Sequence, residues 1–214
     1  EYTTIPEEGI LALKPRELTY EEAAAIPFGA LAALHFLRKA NLQMGQKVLI
    51  YGASGAVGSA AIQIAKSFGV KVSAVCSSRN FDLVKSLGAD KVIDYTKEDF
   101  SKTEEKYDVV LEAVGKSSIS QGLNALLPKG KLLLVSASFS KMFFGILASK
   151  LSGKEIIMGV DEENAAAMNY LRELVKKGQL KPVIDRRYPL EKVVEAHQYV
   201  DSGRKKGNVI LAIA

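Results

Sequence analysis

A glycine-rich segment stands where the chain could bind a phosphate-bearing ligand. The apolar run Lys47–Tyr51 leads directly into a loop, and a helical pattern follows. The loop consists of Gly52, Ala53, Ser54, Gly55, Ala56, Val57 and Gly58. In the GxGxxG frame its three positions are Ala53, Gly55 and Gly58, with alanine in the first. Glycines there permit a tight turn, backbone approach to a pyrophosphate and close packing of helix on strand. Because a helix that begins at this point directs unpaired N–H groups at phosphates, we predict that residues 52–58 bind a dinucleotide.

The end of the second strand favours NADPH over NADH. In NAD-binding proteins an acidic residue about 20 residues beyond the loop binds the ribose hydroxyls. This sequence has no carboxylate there, and offers instead Cys76, Ser77, Ser78, Arg79 and Asn80. Arginine forms bidentate, charge-assisted hydrogen bonds to phosphate oxygens, so we assign Ser77, Ser78 and Arg79 to a 2′-phosphate. A solvated surface position is the alternative for Arg79. The same residues disfavour a methyl-transfer or sugar-nucleotide protein.

Two further pairs of residues follow strands at the expected switch point of the sheet. In open α/β sheets the ligand lies beyond the carboxyl ends of the strands. That rule adds Val114 and Gly115 after the fourth strand, and Ser136 and Ala137 after the fifth, as cofactor contacts. The alternative for both pairs is that they only form the loops that end these strands.

No residue stands out as a general acid. Tyr51, Tyr95 and His35 lack a placed partner, and such lone side chains are more often structural than catalytic. Tyr188 and Lys192 match the YxxxK pair of short-chain dehydrogenases. The proline between them fits the first turn of a new helix, which leaves Tyr188 outside that helix and removes a shared face. The catalytic residues therefore stay unassigned.

The elements that must position these residues are short β-rich runs alternating with helical patterns, which is typical of βαβ units. We predict strands over Lys47–Tyr51, Lys71–Cys76, Lys91–Ile93, Tyr107–Ala113, Lys131–Ser136 and Glu155–Gly159. The helices between them are predicted over Val57–Phe68, Phe81–Leu87, Lys97–Glu105, Ser118–Leu127 and Met142–Leu151. This pattern predicts an α/β fold with a doubly wound Rossmann sheet of six parallel strands in the order 3-2-1-4-5-6.

Further elements flank this array. Thr19 and Glu22 form a capping box before an alanine-rich helix, which Pro27 breaks and which resumes through Leu37. After the sixth strand we predict an amphipathic helix and a last strand–helix–strand unit. These elements are predicted over Asn164–Lys177, Val183–Arg187, Leu190–Val200 and Asn208–Ile213.

Composition places the chain among globular proteins of one domain. It has 214 residues, of which 48% are hydrophobic and 25% charged. Its single cysteine and two histidines are too few for a disulfide or a zinc site of the Cys/His kind, so we expect no metal. The longest apolar run, Met142–Ala148, is far shorter than the roughly 20 residues of a membrane helix, and no leader opens the chain. We expect a cytoplasmic protein without membrane contact.

The charge pattern argues against nucleic-acid binding. Lys and Arg number 29 against 24 Asp and Glu, which gives a net charge of +5. The basic residues are scattered, with the longest cluster at Arg204–Lys206, and no basic stripe alternates with aromatics. The chain begins at Glu1 without methionine, which hints at processing or at a fragment of a longer protein.

Five segments together resemble the medium-chain dehydrogenase/reductase superfamily, in particular its zinc-independent, quinone-oxidoreductase-like branch. The segments are LTYEEAAAIPFGALAALHFL, KVLIYGASGAVGSAAIQIAK, CSSRNFDLVKSLGADKVIDYTKEDF, YDVVLEAVG and YPLEKVVEAHQYVDSGRKKGNVIL. The resemblance covers essentially the whole chain. It implies an NADP(H)-binding Rossmann domain over residues 19–182, joined to a GroES-like catalytic domain of which residues 1–18 and 183–214 are remnants.

The resemblance also shows where this sequence departs from the family. Most of the catalytic domain is missing, together with the substrate pocket and any proton-donating tyrosine. In zinc-dependent relatives a cysteine ligand would fall near Phe28, where neither cysteine nor histidine stands. Ala32 replaces a common threonine beside the nicotinamide, and Phe28, Leu31 and Ala32 would form the wall behind that ring. A buried packing role is the alternative for these three residues.

The activity that the resemblance implies is hydride transfer from NADPH, without a metal, to a quinone or to the β-carbon of an α,β-unsaturated carbonyl. The partner would be a small-molecule carbonyl or quinone substrate. The resemblance further implies a homodimer through the last strand of the sheet. A non-catalytic NADPH-binding sensor or interaction module is the alternative function.

Overall fold

One parallel sheet organises the chain in the computed structural model, which describes residues 4–6, 9–136, 139–159 and 164–213, without the side chains of residues 139–142. Its six strands lie in the order β3-β2-β1-β4-β5-β6, and β1 pairs in register with β2 and β4. The strands are β1 (Lys47–Tyr51), β2 (Lys71–Cys76), β3 (Lys91–Asp94), β4 (Tyr107–Glu112), β5 (Leu126–Leu134) and β6 (Glu155–Ile157). The predicted Rossmann sheet and its strand order are confirmed.

Helices cover both faces of this sheet. They are α1 (Tyr20–Ala24), α2 (Pro27–Lys39), α3 (Ala56–Ser67), α4 (Phe81–Ser86), α5 (Ile119–Ala125), α6 (Phe139–Ser152) and α7 (Ala165–Lys176). Val48 and Ile50 of β1 pack in the larger core cluster, which draws on α2, α3 and α7, whereas Leu49 packs in the smaller cluster on the opposite face. Because successive strand residues point to opposite faces, an unbroken apolar strand is what two covered faces require.

The helix ends follow from local side-chain chemistry. The capping box predicted at Thr19 and Glu22 is present, with the Thr19 N–H donating to Glu22 Oε2 at 2.8 Å. Pro27 is the first residue of α2, where its missing N–H costs nothing, so the predicted break is a true boundary. Asn164 caps α7 through its Oδ1, which accepts from the Ala167 N–H at 2.8 Å.

A small C-terminal unit follows the sheet. It consists of β7 (Ile184–Pro189), a 3₁₀ turn at Leu190–Lys192, α8 (Val193–Asp201) and β8 (Asn208–Ala212). The two strands pair in parallel, with Ile184 opposite Asn208 and Tyr188 opposite Leu211. The unit predicted from the sequence is present, although its helix begins three residues later than expected.

One predicted helix is wrong and several element ends differ. Only a 3₁₀ turn, Phe100–Lys102, lies within the expected helix Lys97–Glu105. The reason is that aspartate side chains bind the backbone there: Asp94 Oδ1 accepts from the Thr96 N–H and Asp99 Oδ1 from the Ser101 N–H, both at 3.0 Å. Strand β5 begins earlier than predicted, and β6 ends two residues sooner. In the part of the chain that the structure describes, no helix combines the length and the apolar character needed to cross a membrane.

Candidate functional site

The glycine-rich loop connects β1 to α3 and leaves the start of that helix uncapped. Gly52 has a φ of +80°, and its N–H donates to Val75 O of the neighbouring strand at 3.1 Å. Gly55 is the N-cap of α3 and has no side chain to satisfy the first helical N–H groups. A Cβ at Gly55 would meet only Gly52 O, at 3.5 Å, so the space in front of the helix is open. The arrangement offers an anion N–H groups and the positive end of a helix dipole.

The remaining loop residues serve packing. Ala53, Ala56 and Val57 are buried. A Cβ at Gly58 would lie 2.3 Å from Gly52 O and 2.6 Å from Ala53 Cα, so the helix rests directly on the turn. Of the seven residues of the loop that are predicted to bind a cofactor, three line the cleft beside it: Gly52, Ser54 and Gly55.

The end of β2 forms the second side of this cleft. Cys76, Ser77, Arg79 and Asn80 line it. The Arg79 Nε donates to Ser77 Oγ at 3.2 Å, and the Asn80 Nδ2 donates to Ser54 Oγ at 2.9 Å, which ties the β2 end to the glycine-rich loop. Ser78 does not line the cleft. Hydrogen bonds from Thr96, joined by one from Ser78, hold the pKa of the Asp94 carboxyl below its ordinary value.

A buried carboxylate shapes the third side. Glu112, fully buried at the end of β4, accepts from the N–H groups of Val114, Gly115 and Lys116 at 3.1, 2.8 and 3.3 Å. Gly115 has a φ of +71°, a conformation that glycine adopts most readily. This loop brings Val114 against Gly52, whose Cβ would lie 2.7 Å from Val114 Cγ1.

The cleft does not confirm the two cofactor contacts predicted after β5, Ser136 and Ala137. Ser136 lies beside Gly115, where a Cβ would be 3.4 Å from Ser136 O, but Ser136 does not line the cleft. Ala137 lies outside the described residues. Its predicted role stays a prediction.

The fourth side is the C-terminal loop between α8 and β8, whose presence here is not among the expectations from the sequence. The Gly207 N–H donates to Ser54 O at 2.8 Å, and Gly55 and Gly207 form an isolated parallel bridge. Gly203, Arg204 and Lys205 line the cleft. The basic cluster Arg204–Lys206 is evident in the sequence. Its contact with the glycine-rich loop is not, because about 150 residues separate the two segments along the chain.

The completed cleft has a volume of ≈ 330 Å³ and a strongly positive wall. Its cationic side chains come from three elements, and no carboxylate lines it among the described residues. The cations are Arg79, Lys116, Arg204 and Lys205. Tyr51 and Tyr95 line the same cleft with ring centroids 6.2 Å apart, and burial followed by the charge of Glu112 raises the pKa of Tyr51. Such a cleft suits an aromatic ligand with several negative charges.

Cys76 is expected to resist alkylation although it lines the cleft. Its side chain is 2% exposed, and burial followed by the nearby Asp94 raises the pKa of the thiol to about 11. At pH 8 only about one thiol in a thousand is then the reactive thiolate. Iodoacetamide labelling followed by mass spectrometry should therefore be slow at pH 8 and increase up to a midpoint near pH 11. Labelling in urea is the control, and native labelling as fast as in urea would contradict this.

The other residues considered for catalysis are dispersed. Phe28 is 76% exposed, Ala32 is half-buried and Leu31 is buried in the core, so only the first two could face a ligand. Tyr188 lies in β7 and Lys192 in the following 3₁₀ turn, so the YxxxK pair shares no helical face.

A zinc site does not fit the residues described. Among them, no group of three or more His, Cys, Asp or Glu side chains is placed to bind a metal ion. Phe28, where the family resemblance would place a zinc ligand, supplies no donor atom. No chemical step is therefore assigned to zinc in this chain.

Comparison with known proteins finds relatives that are named as dehydrogenases, reductases or oxidoreductases. A family model described as "Zinc-binding dehydrogenase" matches residues 87–211. The chain is 35% identical over 215 residues to a 2-methylene-furan-3-one reductase of Solanum lycopersicum, covering 99% of this chain and 51% of the relative. It is 31% identical to an NADPH-dependent alkenal/one oxidoreductase of Arabidopsis thaliana, covering 99% and 52%. The chain thus spans about half the length of these curated relatives.

Solved structures agree with this grouping. The quinone oxidoreductase from Coxiella burnetii superposes with a TM-score of 0.87 at 29% identity, covering 95% of this chain and 64% of that one. An NAD-dependent alcohol dehydrogenase superposes with a TM-score of 0.84 at 29% identity, covering 98% and 63%. The names of these relatives thus include both NADPH and NAD.

Proposed function

Because the chain belongs to the zinc-binding dehydrogenase family of the medium-chain dehydrogenase/reductase superfamily, in its quinone-oxidoreductase-like branch, we propose that it is the cofactor-binding part of an NADPH-dependent quinone or enone reductase. The observation that carries the proposal is the positive cleft in front of the uncapped helix α3. Its wall has four cations and, among the described residues, no carboxylate of the kind that binds an NAD ribose.

The bound NADPH would supply the hydride, delivered to a quinone or to the β-carbon of an α,β-unsaturated carbonyl. The chain's own part is binding and orientation. The N–H groups at the start of α3 would bind the pyrophosphate, and Arg79 with Ser77 would bind the 2′-phosphate. Val114, positioned by Glu112, would contact the cofactor where it lines the cleft. No residue of the chain is assigned as the proton donor.

The small-molecule substrate would bind mostly to residues outside this chain. We propose that residues 19–182 form the NADP(H)-binding domain and that residues 1–18 and 183–214 belong to a GroES-like catalytic domain. In support, the chain spans about half the length of its curated relatives, and Phe28 is 76% exposed on the surface of α2.

The test is calorimetric titration of the purified chain with NADPH and with NADH, combined with reductase assays on a quinone and an enone. Binding of NADPH in preference to NADH supports the proposal, and turnover would show that the residues present suffice for catalysis. Binding of NADPH without turnover, in a natural protein of this length, would favour the alternative, a non-catalytic sensor or interaction module. Failure to bind either nucleotide would overturn both.

Arg79→Ala is expected to weaken NADPH binding by about 1.5–3 kcal/mol, the contribution of a hydrogen bond to a charged group, and to leave NADH binding nearly unchanged. The reason is that only NADPH carries the 2′-phosphate. Calorimetry with both nucleotides measures the difference. Arg38→Ala is the matched control, because the Arg38 guanidinium stacks on the Tyr170 ring at 4.6 Å and does not line the cleft. If Arg79→Ala weakened the binding of NADPH and NADH equally, Arg79 would not bind the 2′-phosphate.

We propose a homodimer through β6, the last strand of the sheet. Strand β6 is the sheet edge, and α6 beside it exposes an apolar surface. Phe143, Phe144 and Leu151 are 72%, 61% and 79% exposed, and an exposed apolar patch of this kind is typical of a protein–protein contact. Sedimentation analysis of the purified chain tests this assembly, and a monomer at all concentrations would contradict it.

We propose a cytoplasmic location on composition alone. The names of some relatives designate the chloroplast or the mitochondrion, among them the NAD(P)H oxidoreductase RTN4IP1 of Mus musculus. Fractionation of the source cells, followed by detection of the protein with an antibody, decides between these compartments.

A further inference from the structure

A second cleft, the N-terminal pocket, lies between the segment of residues 10–15 and the helices α1, α2 and α7. Its volume is ≈ 190 Å³. The segment forms one wall, and the helical region supplies the others through Ala23, Ile26, Pro27, Met168, Arg172 and Val175. The pocket shares no lining residue with the cofactor cleft, so it is a separate site.

The interior of the N-terminal pocket is apolar. Ile26 and Val175 are buried and belong to the larger core cluster, and Met168 packs against the same cluster from α7. An apolar cavity of about 150 Å³ stays dry and binds benzene, a molecule of six carbons. By the same ratio a pocket of ≈ 190 Å³ holds about seven or eight carbons.

Both charged side chains that line this pocket are cations, and no acidic residue lines it among the described residues. Lys14 Nζ donates to the carbonyls of Pro15, at 3.0 Å, and Leu18, and it pairs with no carboxylate in the described part of the chain. Arg172 donates through Nε and Nη2 to Glu173 Oε1, at 3.3 and 3.2 Å. The guanidinium has five N–H donors, so several stay available for a second anion.

We propose that the N-terminal pocket binds an aliphatic carboxylate of about eight carbons, such as octanoate. The chain buries its methylene groups against the apolar lining, and the carboxylate accepts hydrogen bonds from Arg172, whose planar guanidinium matches its geometry. Lys14 adds a second positive charge to the lining. The site is independent of the proposed nucleotide-binding function, because the two clefts have no residue in common.

The experiment follows the methionine methyl groups of the purified chain by NMR, after ¹³C labelling, during titration with octanoate. The Met168 methyl signal, assigned with Met168→Leu, should shift and saturate, whereas the signals of Met44 and Met158 should not move. Affinity should increase about fourfold for each added methylene from butanoate to octanoate, and should not increase further to dodecanoate because the pocket is then full. Octan-1-ol should bind about tenfold more weakly than octanoate, for want of a charged acceptor.

Two pairs of variants test the lining. Ala23→Leu places three more carbons in the pocket and should weaken octanoate binding at least about tenfold. Ala24→Leu is its matched control, since Ala24 is the next residue of α1, is exposed and does not line the pocket. It should leave the affinity unchanged.

Arg172→Met should abolish the preference for octanoate over octan-1-ol while octan-1-ol still binds, a change in selectivity that a purely structural role would not produce. Lys176→Met is the matched control. Lys176 lies on the same helix and donates to the same Glu173 oxygen, at 3.0 Å, but does not line the pocket. Its removal should leave the preference intact.

Three outcomes would overturn the inference. A shift of Met158 in place of Met168 would put the ligand beside α6, because a Cβ at Gly145 of that helix would lie 2.9 Å from Met158 Cε. Equal affinities for octanoate and octan-1-ol would remove the carboxylate from the site, and undiminished binding to Ala23→Leu would remove the chain from the pocket. Thermal melts show that each variant is folded. Titration of Ala23→Leu with NADPH should match the parent, so the nucleotide site is tested separately.

Discussion

Gly58→Ala is expected to destabilise the folded chain by about 3 kcal/mol or more, at the upper end of overpacking effects. The added Cβ would lie 2.3 Å from Gly52 O and 2.6 Å from Ala53 Cα. Both atoms belong to the backbone of a tight turn, so neither can rotate away. Alanine is the better helix former by about 1 kcal/mol, but this gain is smaller than the cost of shifting α3 from β1. Urea denaturation of both proteins measures the difference.

Gly145→Ala is the matched control for this experiment. Gly145 also lies within a helix, α6, and its Cβ would approach Met158 Cε at 2.9 Å. That atom is the end of a flexible side chain, which can change rotamer at little cost. We expect this variant to remain within about 0.5 kcal/mol of the parent or to gain stability from helix propensity. An equal loss in both variants would mean that the packing of α3 on the turn is not unusually close.

Gly55→Val should have the opposite effect to Gly58→Ala. We expect this variant to stay folded but no longer to bind a dinucleotide. The backbone at Gly55 has φ −80° and ψ −178°, which valine adopts without strain, and its Cβ would meet only Gly52 O at 3.5 Å. The two methyl groups would fill the space in front of the α3 N–H groups, where the pyrophosphate would lie. We expect both NADPH and NADH to bind at least about 100-fold more weakly, a loss of about 2.7 kcal/mol or more.

Calorimetry for binding and thermal melts for folding test this prediction together. Gly55→Ala is the graded control, since one methyl group fills less of the space and should weaken binding less. A loss of binding that accompanies unfolding would contradict the distinction between Gly55 and Gly58. Unchanged binding in the folded valine variant would show that the loop does not bind the pyrophosphate.

The sheet could be predicted because its strands are buried on both faces. Such strands appear as short unbroken apolar runs, as in Val48–Ile50, and glycines mark the helix ends between them. The expected helix at Lys97–Glu105 failed because Asp94 and Asp99 bind nearby N–H groups, and the helical pattern does not report that competition.

The candidate site was only partly accessible to sequence reasoning. The glycine-rich loop and the β2 end follow each other in one βαβ unit, so their positions are fixed by local connectivity. The C-terminal loop joins the site through a tertiary contact, the hydrogen bond from the Gly207 N–H to Ser54 O. That contact depends on how β7 and β8 pack, for which no short-range pattern exists. A glycine on either side of the basic cluster, at Gly203 and Gly207, was the signal available.

The hydrogen bond from Gly207 N–H to Ser54 O makes the cleft a joint between the sheet and the C-terminal unit. A ligand bound across this joint contacts both sides, so its binding free energy also opposes their separation. At a free ligand concentration 100 times its dissociation constant, that coupling adds at most about 2.7 kcal/mol to the joined state, the limit for a ligand that does not bind the separated state. The amide of Gly207 should then exchange its hydrogen more slowly as nucleotide is added, so an exchange measurement at one residue would report occupancy of the whole site.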